Sequence, residues 1–540
     1  MTRMKDENST TSAERPKRYI PQRYIFGLLG FMALSNAYVQ RFSLSLTITE
    51  MTDSNHDLIP TKNAEDVECP VGEIIITNRT SRTQLYEFSW DEKTQGIILS
   101  SVFWGYVVGQ LPGGMIADRY GGKHTLGFGM LFCILCNLSL PFVVRKFEAI
   151  GLIVLRFFIG LGQGPLYPSL NVILSHWAPF HERGRLGALV FAGAQVGNVI
   201  SMAVTGIIIQ KLGWPYVFYI YGFFGIVWYI VWITFISDKP STHRFISEHE
   251  KKYLEENVHD ITDERKNLPS TPWKKILTSG PVWGVVIAQI GHDWGLFTII
   301  TDLPKYMKSV LHLSVAENGT LSALPYLNMW IFALFSGYVC DWLIEKKGFG
   351  ITIVRKIFVT TAATGPALGI IAASYSYCNR VAVITSFTIG MGLMGAFVPS
   401  LKVNPLDLSP NFAGSLMAFV GGTGAISGIF APFVVGVLTT HGTLTEWRNV
   451  FWIAFYVLIV TNIVYFILGS GEVQPWNEEA SSSDADQTED DPSRRNTIPE
   501  ISIQEGAERA EFKRKMSYIN GIPIDPSRRR SVFVERPLIF

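Results

Sequence analysis

"GGMIADRYGGKH", residues 113–124, and "SGYVCDWLIEKKG", residues 336–348, carry the same pattern in the two halves of a 540-residue chain. Each has a glycine four residues before an aspartate, Gly114 and Asp118 in one and Gly337 and Asp341 in the other, and cations follow both aspartates. Each also closes an apolar run of the ~20 residues that a bilayer crossing takes. Two copies in register describe parallel six-helix repeats, the pattern of a carrier that rocks two halves about a midplane site. The glycines allow helices to approach closely. The aspartate at a helix end is placed to pair with Arg119, or with another helix's positive N-terminus, and so to latch one face.

Outward from these loops the chain reads as membrane. It is 48% hydrophobic and only 17% charged, against about 25% charged in soluble domains. Twelve apolar runs lie near 24–47, 95–116, 125–144, 149–172, 186–209, 214–236, 282–303, 319–343, 357–374, 381–401, 412–438 and 447–468. They lack the apolar/polar alternation of barrel strands. The expectation is an all-α membrane protein of about twelve transmembrane helices in two pseudo-symmetric six-helix bundles. The first run is too long for a signal-peptide core. A net charge of +1 gives no reason to invoke nucleic acid.

The expected divisions are a cytoplasmic N-terminus (1–23), a first bundle (24–236) with a large outer loop (50–93), a cytoplasmic linker (237–281), a second bundle (282–469) and a disordered cytoplasmic tail (470–540). "ISEHEKKYLEENV" in the linker reads as a surface helix. The tail holds too little apolar surface to fold alone. Its Thr497 and Ser531 sit near arginines and are candidate phosphorylation positions. Short loops decide orientation weakly; the basic start and the Lys/Arg-bearing linker place both termini in the cytoplasm. The 50–93 loop is then outside or lumenal, and its Asn78-Arg79-Thr80 sequon is a candidate glycosylation site. A second sequon at Asn318 abuts a membrane run and is expected to stay unused.

Five cysteines are few. Cys133 and Cys136 fall inside an apolar run, where packing explains them better than a metal or redox site. Cys69 and Cys378 fall on one side, so a bridge between loops of opposite halves stays open. No metal-spaced His/Cys cluster, phosphate loop or nucleophile–base set stands out, so no metal, cofactor or enzymatic activity is expected.

Two arginines lie within apolar runs: Arg41 late in the first and Arg156 near mid-depth in the fourth. Each costs at least ~2.5–3.5 kcal/mol to insert unless it faces a cavity or partner. A guanidinium fork suits a carboxylate or phosphate; Arg41, nearer an end, also has the option of snorkelling. Gln163 lies seven residues after Arg156, on the same helix face. His292 and Asp293 sit at mid-depth in the seventh run.

A set of motifs then carries a resemblance: "FSWDEKTQGIILSSVFWGYVVGQLPGG" (88–114), "GLGQGPLYPSL" (160–170), "WAPFHERGRL" (177–186), "AGAQVGNVIS" (192–201), "LPKYMKSVL" (303–311), "ENGTLSALPYL" (317–327), "VNPLDLSP" (403–410) and "GSGEVQPWN" (469–477). In this order they resemble the major facilitator superfamily, within it the anion transporters that include sialin, the vesicular glutamate and nucleotide transporters and the sodium–phosphate cotransporters. Within that group the chain resembles sialin-like and insect phosphate-cotransporter-like members in particular. The resemblance implies a secondary transporter of small organic or inorganic anions, driven by Na⁺, H⁺ or voltage. It would sit in the plasma membrane or an endolysosomal or vesicle membrane. The rival reading is a transport-dead receptor or scaffold of the same fold that signals through its tail.

The resemblance also implies roles. Arg41 matches the first-helix arginine that binds anionic substrate, and Arg156 a fourth-helix arginine of the coupling network. Tyr106 matches a cavity tyrosine. Asn404 and Asp407 fit a cytoplasmic gate, with Pro405 where a histidine is common. Many relatives have a proton-binding glutamate at Gln163; sialin-like members have histidine at Asn171, and glutamate transporters have histidine at Leu99. These three positions do not titrate here. Either voltage or Na⁺ drives transport, or coupling has moved to His292 and Asp293. Those two occupy the region where glutamate transporters place a second arginine, so vesicular glutamate transport is not expected.

Overall fold

The computed structural model of the protein describes residues 21–52, 87–179, 182–257, 271–410 and 412–477, with two short paired segments, Tyr518–Ile519 and Ile522–Pro523. Asn78, Cys69, Thr497 and Ser531 lie outside the described residues, as does the side chain of Asp118.

The helices are α1 (Gln22–Met51), α2 (Glu92–Tyr120), α3 (Gly122–Gln163), α4 (Leu166–Trp177), α5 (Arg183–Leu212), α6 (Trp214–Phe235), α7 (Glu248–Asn257) and α8 (Trp273–Thr278). They continue with α9 (Gly280–Ser309), α10 (Val315–Glu345), α11 (Ile351–Tyr375), α12 (Arg380–Met394), α13 (Asn404–Leu408), α14 (Ala413–Ala425), α15 (Ser427–Leu438) and α16 (Leu444–Leu468). Helix starts carry the expected chemistry: Asp91 accepts from the Thr94 amide at α2, and Ser314 with Glu317 and Thr443 with Glu446 form capping boxes at α10 and α16.

Eight stretches among the described residues are long and apolar enough to cross a membrane. One of them, Gly122–Trp177, is double: Glu148 leaves helical geometry with φ 50° and separates two crossings. Three further long helices, α1, α2 and α9, bring the crossings to twelve, in agreement with the runs read from sequence. These three are less apolar for a physical reason. They carry buried polar side chains (Gln40 and Arg41 on α1, Gln95 on α2, His292, Asp302 and Lys305 on α9), which are turned into the protein and away from lipid.

The glycines of "GLGQGPLYPSL" set how closely α2 meets the fourth crossing. A Cβ on Gly160 would overlap the Val102 carbonyl, and one on Gly105 would overlap the Phe157 carbonyl. Gly109 faces Leu161 and Gly164, and Gly113 faces Pro165. Two small-residue stripes at four-residue spacing thus pack backbone on backbone.

The face that carries the connection after Met51 is here called distal, and the one near Pro21 and Asn477 terminal. At the distal face the halves touch, through α5 against α10 and α2 against α15. A Cβ on Gly206 would lie 3.1 Å from the Gly319 Cα, and one on Gly436 3.1 Å from the Gly96 Cα. One apolar cluster (Phe42, Phe103, Ile299 and Tyr306 among others) spans both halves. Toward the terminal face the clusters separate, one around Trp177 and Trp232, another around Phe358 and Trp476. Cys133, Cys136 and Cys340 are free and buried, and Cys378 is disulfide-bonded. Asn318 is buried and its amide donates to the Pro304 carbonyl at 2.8 Å, which leaves no room for a glycan at the second sequon.

Candidate functional site

Arg41, Arg156, Gln163 and Tyr106 come together between α1, α2 and α3. All four are buried. Arg41 Nε donates to Gln163 Oε1 at 2.8 Å, and Gln163 Nε2 donates to the Ala37 carbonyl at 3.1 Å. Arg156 Nη1 donates to the Arg41 carbonyl at 2.7 Å. The Arg41 guanidinium lies 4.6 Å from the Tyr106 ring centre and 5.2 Å from that of Tyr38. The Tyr38 hydroxyl in turn is 2.8 Å from that of Tyr167. Aromatic faces attract a desolvated cation without neutralising it.

Arg41 Nη2 and Arg156 Nε have no partner among the described residues, and neither arginine forms an ion pair there. Two buried guanidiniums thus keep donors unfilled. An unpaired buried charge is costly, and a carboxylate or phosphate is the group that offers two oxygens in matching geometry.

Asn171 is exposed on α4 and makes none of these contacts. His292 sits apart, within the second half. Its ring stacks on Phe397 at 3.4 Å between centres, and its Nδ1 is 3.1 Å from Asp293 Oδ1. Its Nε2 has no partner among the described residues and borders a small cavity with Ala288, Thr461 and Asn462. Asp293 also accepts from Gln289 at 2.8 Å and lies against the backbone of Gly424.

The terminal-face motifs resolve into local locks. Arg355 holds Asp407 through Nε at 2.7 Å and Nη2 at 3.3 Å, and donates to the Pro399 carbonyl as well. Asn404 donates to the Ser470 carbonyl at 2.8 Å and accepts from the Tyr465 hydroxyl at 3.0 Å. Both links stay inside the second half. Gly114 packs near Pro168, Arg119 is exposed over the Tyr120 ring, and a Cβ on Gly337 would meet nothing within 4 Å. Asp341 is half-buried near the end of α10. The linker helix α7 belongs to the first half: Glu250 accepts from the Gln22 amide at 2.8 Å and pairs with Arg23, which also holds Glu182 at 2.7 Å.

Three charged residues near the ends of apolar runs, Lys305, Lys308 and Arg355, prove structural. Lys305 and Lys308 are not in a loop; they are in the last turns of α9 and reach Glu92 at 2.8 Å and Glu50 at 3.2 Å in the first half. The available signal was their three-residue spacing after Asp302 in a run that should have been apolar. Arg355 falls two residues before the apolar run at 357–374, so only the helix Ile351–Tyr375 reveals it as the buried charge of a membrane segment.

The geometry agrees with comparison to known proteins. The sequence profile described as Major Facilitator Superfamily matches residues 26–432. A Drosophila melanogaster protein named "Putative inorganic phosphate cotransporter" is 40% identical over 472 residues, covering 86% of this chain and 88% of that one. Human sialin is 37% identical over 454 residues, covering 84% and 90%. Among solved structures, an inward-facing, occupied bacterial homologue of the human lysosomal transporter Spinster superposes with a TM-score of 0.61 at 12% identity, covering 83% of this chain and 97% of that one. The protein is thus an integral membrane transporter by fold and kinship, and the chain belongs to the major facilitator superfamily, in the group that holds the phosphate cotransporter-like proteins, sialin and the vesicular glutamate transporters.

Proposed function

We propose that the protein is a secondary active transporter of small organic or inorganic anions, not an enzyme, working by rocker-switch alternating access between bundles 24–236 and 282–469. The observation that carries this reading is the pair of buried arginines, Arg41 and Arg156, with unfilled donors and no carboxylate partner among the described residues. An anion supplies what they lack. Tyr106 forms the aromatic floor under Arg41, and Gln163 fixes its orientation. The distal contacts make this a state closed on that face; transport requires them to part.

The driving ion is Na⁺ or H⁺, with voltage as the alternative, and His292 with Asp293 is the leading titratable pair within the second half. Gly114, Asp118, Arg119 and Asp341 are assigned to the terminal-face gate, with Asn404 and Asp407 holding its second-half side rigid. Both termini are placed in the cytoplasm and Asn78 on the opposite side, in a plasma or endolysosomal membrane. A gel shift on deglycosylation in wild type but not in Asn78→Gln checks that orientation.

The deciding experiment is uptake into proteoliposomes from a panel of labelled carboxylates and phosphates, under imposed Na⁺, H⁺ and voltage gradients. Saturable flux of an anion, absent in Arg41→Ala, supports the carrier. Saturable binding with no flux under any gradient refutes it.

A further inference from the structure

Asp302, Lys305 and Lys308 follow one another at three-residue spacing on α9, which puts them in successive turns on one face. Lys305 Nζ lies 2.8 Å from Glu92 Oε2 of α2. Lys308 Nζ lies 3.2 Å from Glu50 Oε1 of α1 and also donates to the Thr49 carbonyl. Both links run from the second half to the first, so they exist only while the distal face is closed. Asp302 is 1% exposed. Its Oδ2 accepts from Thr301 at 2.6 Å, and its Oδ1 has no partner among the described residues.

The charges do not balance. Among the described residues of this group, three carboxylates (Glu50, Glu92, Asp302) stand against two ammoniums (Lys305, Lys308), and the surplus falls on Asp302, the most buried of the three. The groups that act on Asp302 are Lys305 and Thr301 on its own helix and Glu92 from α2, with Tyr326 facing it from α10. With Lys305 directed to Glu92, an ionised Asp302 would be a buried anion with an empty acceptor, which is strongly unfavourable. A neutral carboxyl avoids most of that cost.

Opening of the distal mouth removes Glu92 from Lys305. The ammonium then needs a new acceptor, and Asp302, one turn back on the same face, is the group in place to supply it. We infer that Lys305 exchanges partners between Glu92 and Asp302, and that Asp302 takes up one proton from the distal-side solution each time Lys305 crosses to Glu92. Closing the distal mouth therefore binds a proton and opening it releases one.

A proton fits this place better than a metal ion. Hard cations such as Ca²⁺ or Mg²⁺ take about six oxygens. Asp302 has a carboxylate and one neighbouring hydroxyl, and no group of three His, Cys, Asp or Glu that could hold a metal occurs among the described residues. By linkage, a state that binds one more proton gains up to about tenfold in population for each unit the pH falls. Acid on the distal side should hold the mouth shut. Asp302 lies in the distal seal and not among Arg41 and its contacts, so this is a gate proton and independent of which anion is carried.

The test is a distance measurement on the full-length protein in lipid nanodiscs, with spin labels on cysteines introduced at the exposed distal residues Lys146 and Arg380. From about pH 5 to about pH 8 the wild type should shift from a short to a long distance. Asp302→Asn, neutral at every pH, should stay short throughout that range. Glu92→Gln, which leaves Lys305 to Asp302, should favour the long distance and provides a second reading if Asp302→Asn does not fold. A wild type insensitive to pH, or Asp302→Asn with the wild-type shift, overturns the proposal. So does Glu92→Gln that remains closed like wild type. Replacing choline by Na⁺ at fixed pH should change nothing; closure driven by Na⁺ in wild type but not in Asp302→Asn would overturn the proton assignment. No substrate is present, so the outcome is separate from that of the anion-carrier reading.

Discussion

Arg41 of α1 donates its Nε hydrogen to Gln163 of α3 at 2.8 Å, while Arg156, two turns earlier on α3, reaches only the Arg41 backbone carbonyl. Seven residues separate Arg156 from Gln163, roughly 10 Å along the axis. The two share a face, and each meets α1 there: Gln163 at Arg41 and Ala37, Arg156 at the Arg41 carbonyl. The amide therefore serves Arg41, and the partner that helical spacing alone suggested for it, Arg156, is not the one it contacts.

Gln163→Glu should accordingly create an ion pair with Arg41. The carboxylate would compete with the transported anion, so apparent affinity at neutral pH should fall by about tenfold or more, equivalent to about 1.4 kcal/mol. Protonating the new acid releases Arg41, so affinity should recover as pH falls. Uptake measured against substrate concentration at several pH values, at clamped voltage, checks this. Unchanged affinity at neutral pH would remove Gln163 from the site.

Arg41→Ala should abolish uptake while the protein still reaches the membrane, and Arg41→Lys should restore little. A lysine keeps the charge but loses the planar fork and its stacking over Tyr106. Flux together with surface labelling separates loss of transport from loss of protein.

Arg355→Ala should destabilise the second half by about 3–5 kcal/mol, because it strands Asp407 as a buried carboxylate. The paired change Arg355→Met with Asp407→Leu should cost much less, since no charge is left behind. Thermal unfolding in detergent gives the comparison, and a double change as damaging as the single one would refute the argument.

Gly160→Ala should prevent α2 from seating on the fourth crossing, as the added methyl would overlap the Val102 carbonyl. Expression or thermal stability should drop sharply. Gly414→Ala, where a Cβ meets nothing within 4 Å, should be close to neutral and serves as the control.

The apolar runs alone determined that this chain forms twelve membrane crossings, since backbone groups in lipid must be satisfied within each segment. The paired glycine–aspartate loops announced its two-fold repeat, and the expense of a charge in hydrocarbon singled out Arg41 and Arg156 before any contact was known. Which donor meets which acceptor lay beyond that reading. Helical period fixes the face a residue shares but not the helix that crosses it, so Gln163 went to Arg41 and His292 turned toward Phe397, away from the arginines. Lys305 and Lys308 have partners, Glu92 and Glu50, more than two hundred residues away in the chain, which no local pattern links to them. Only the packing of one half against the other turned those charges into a seal.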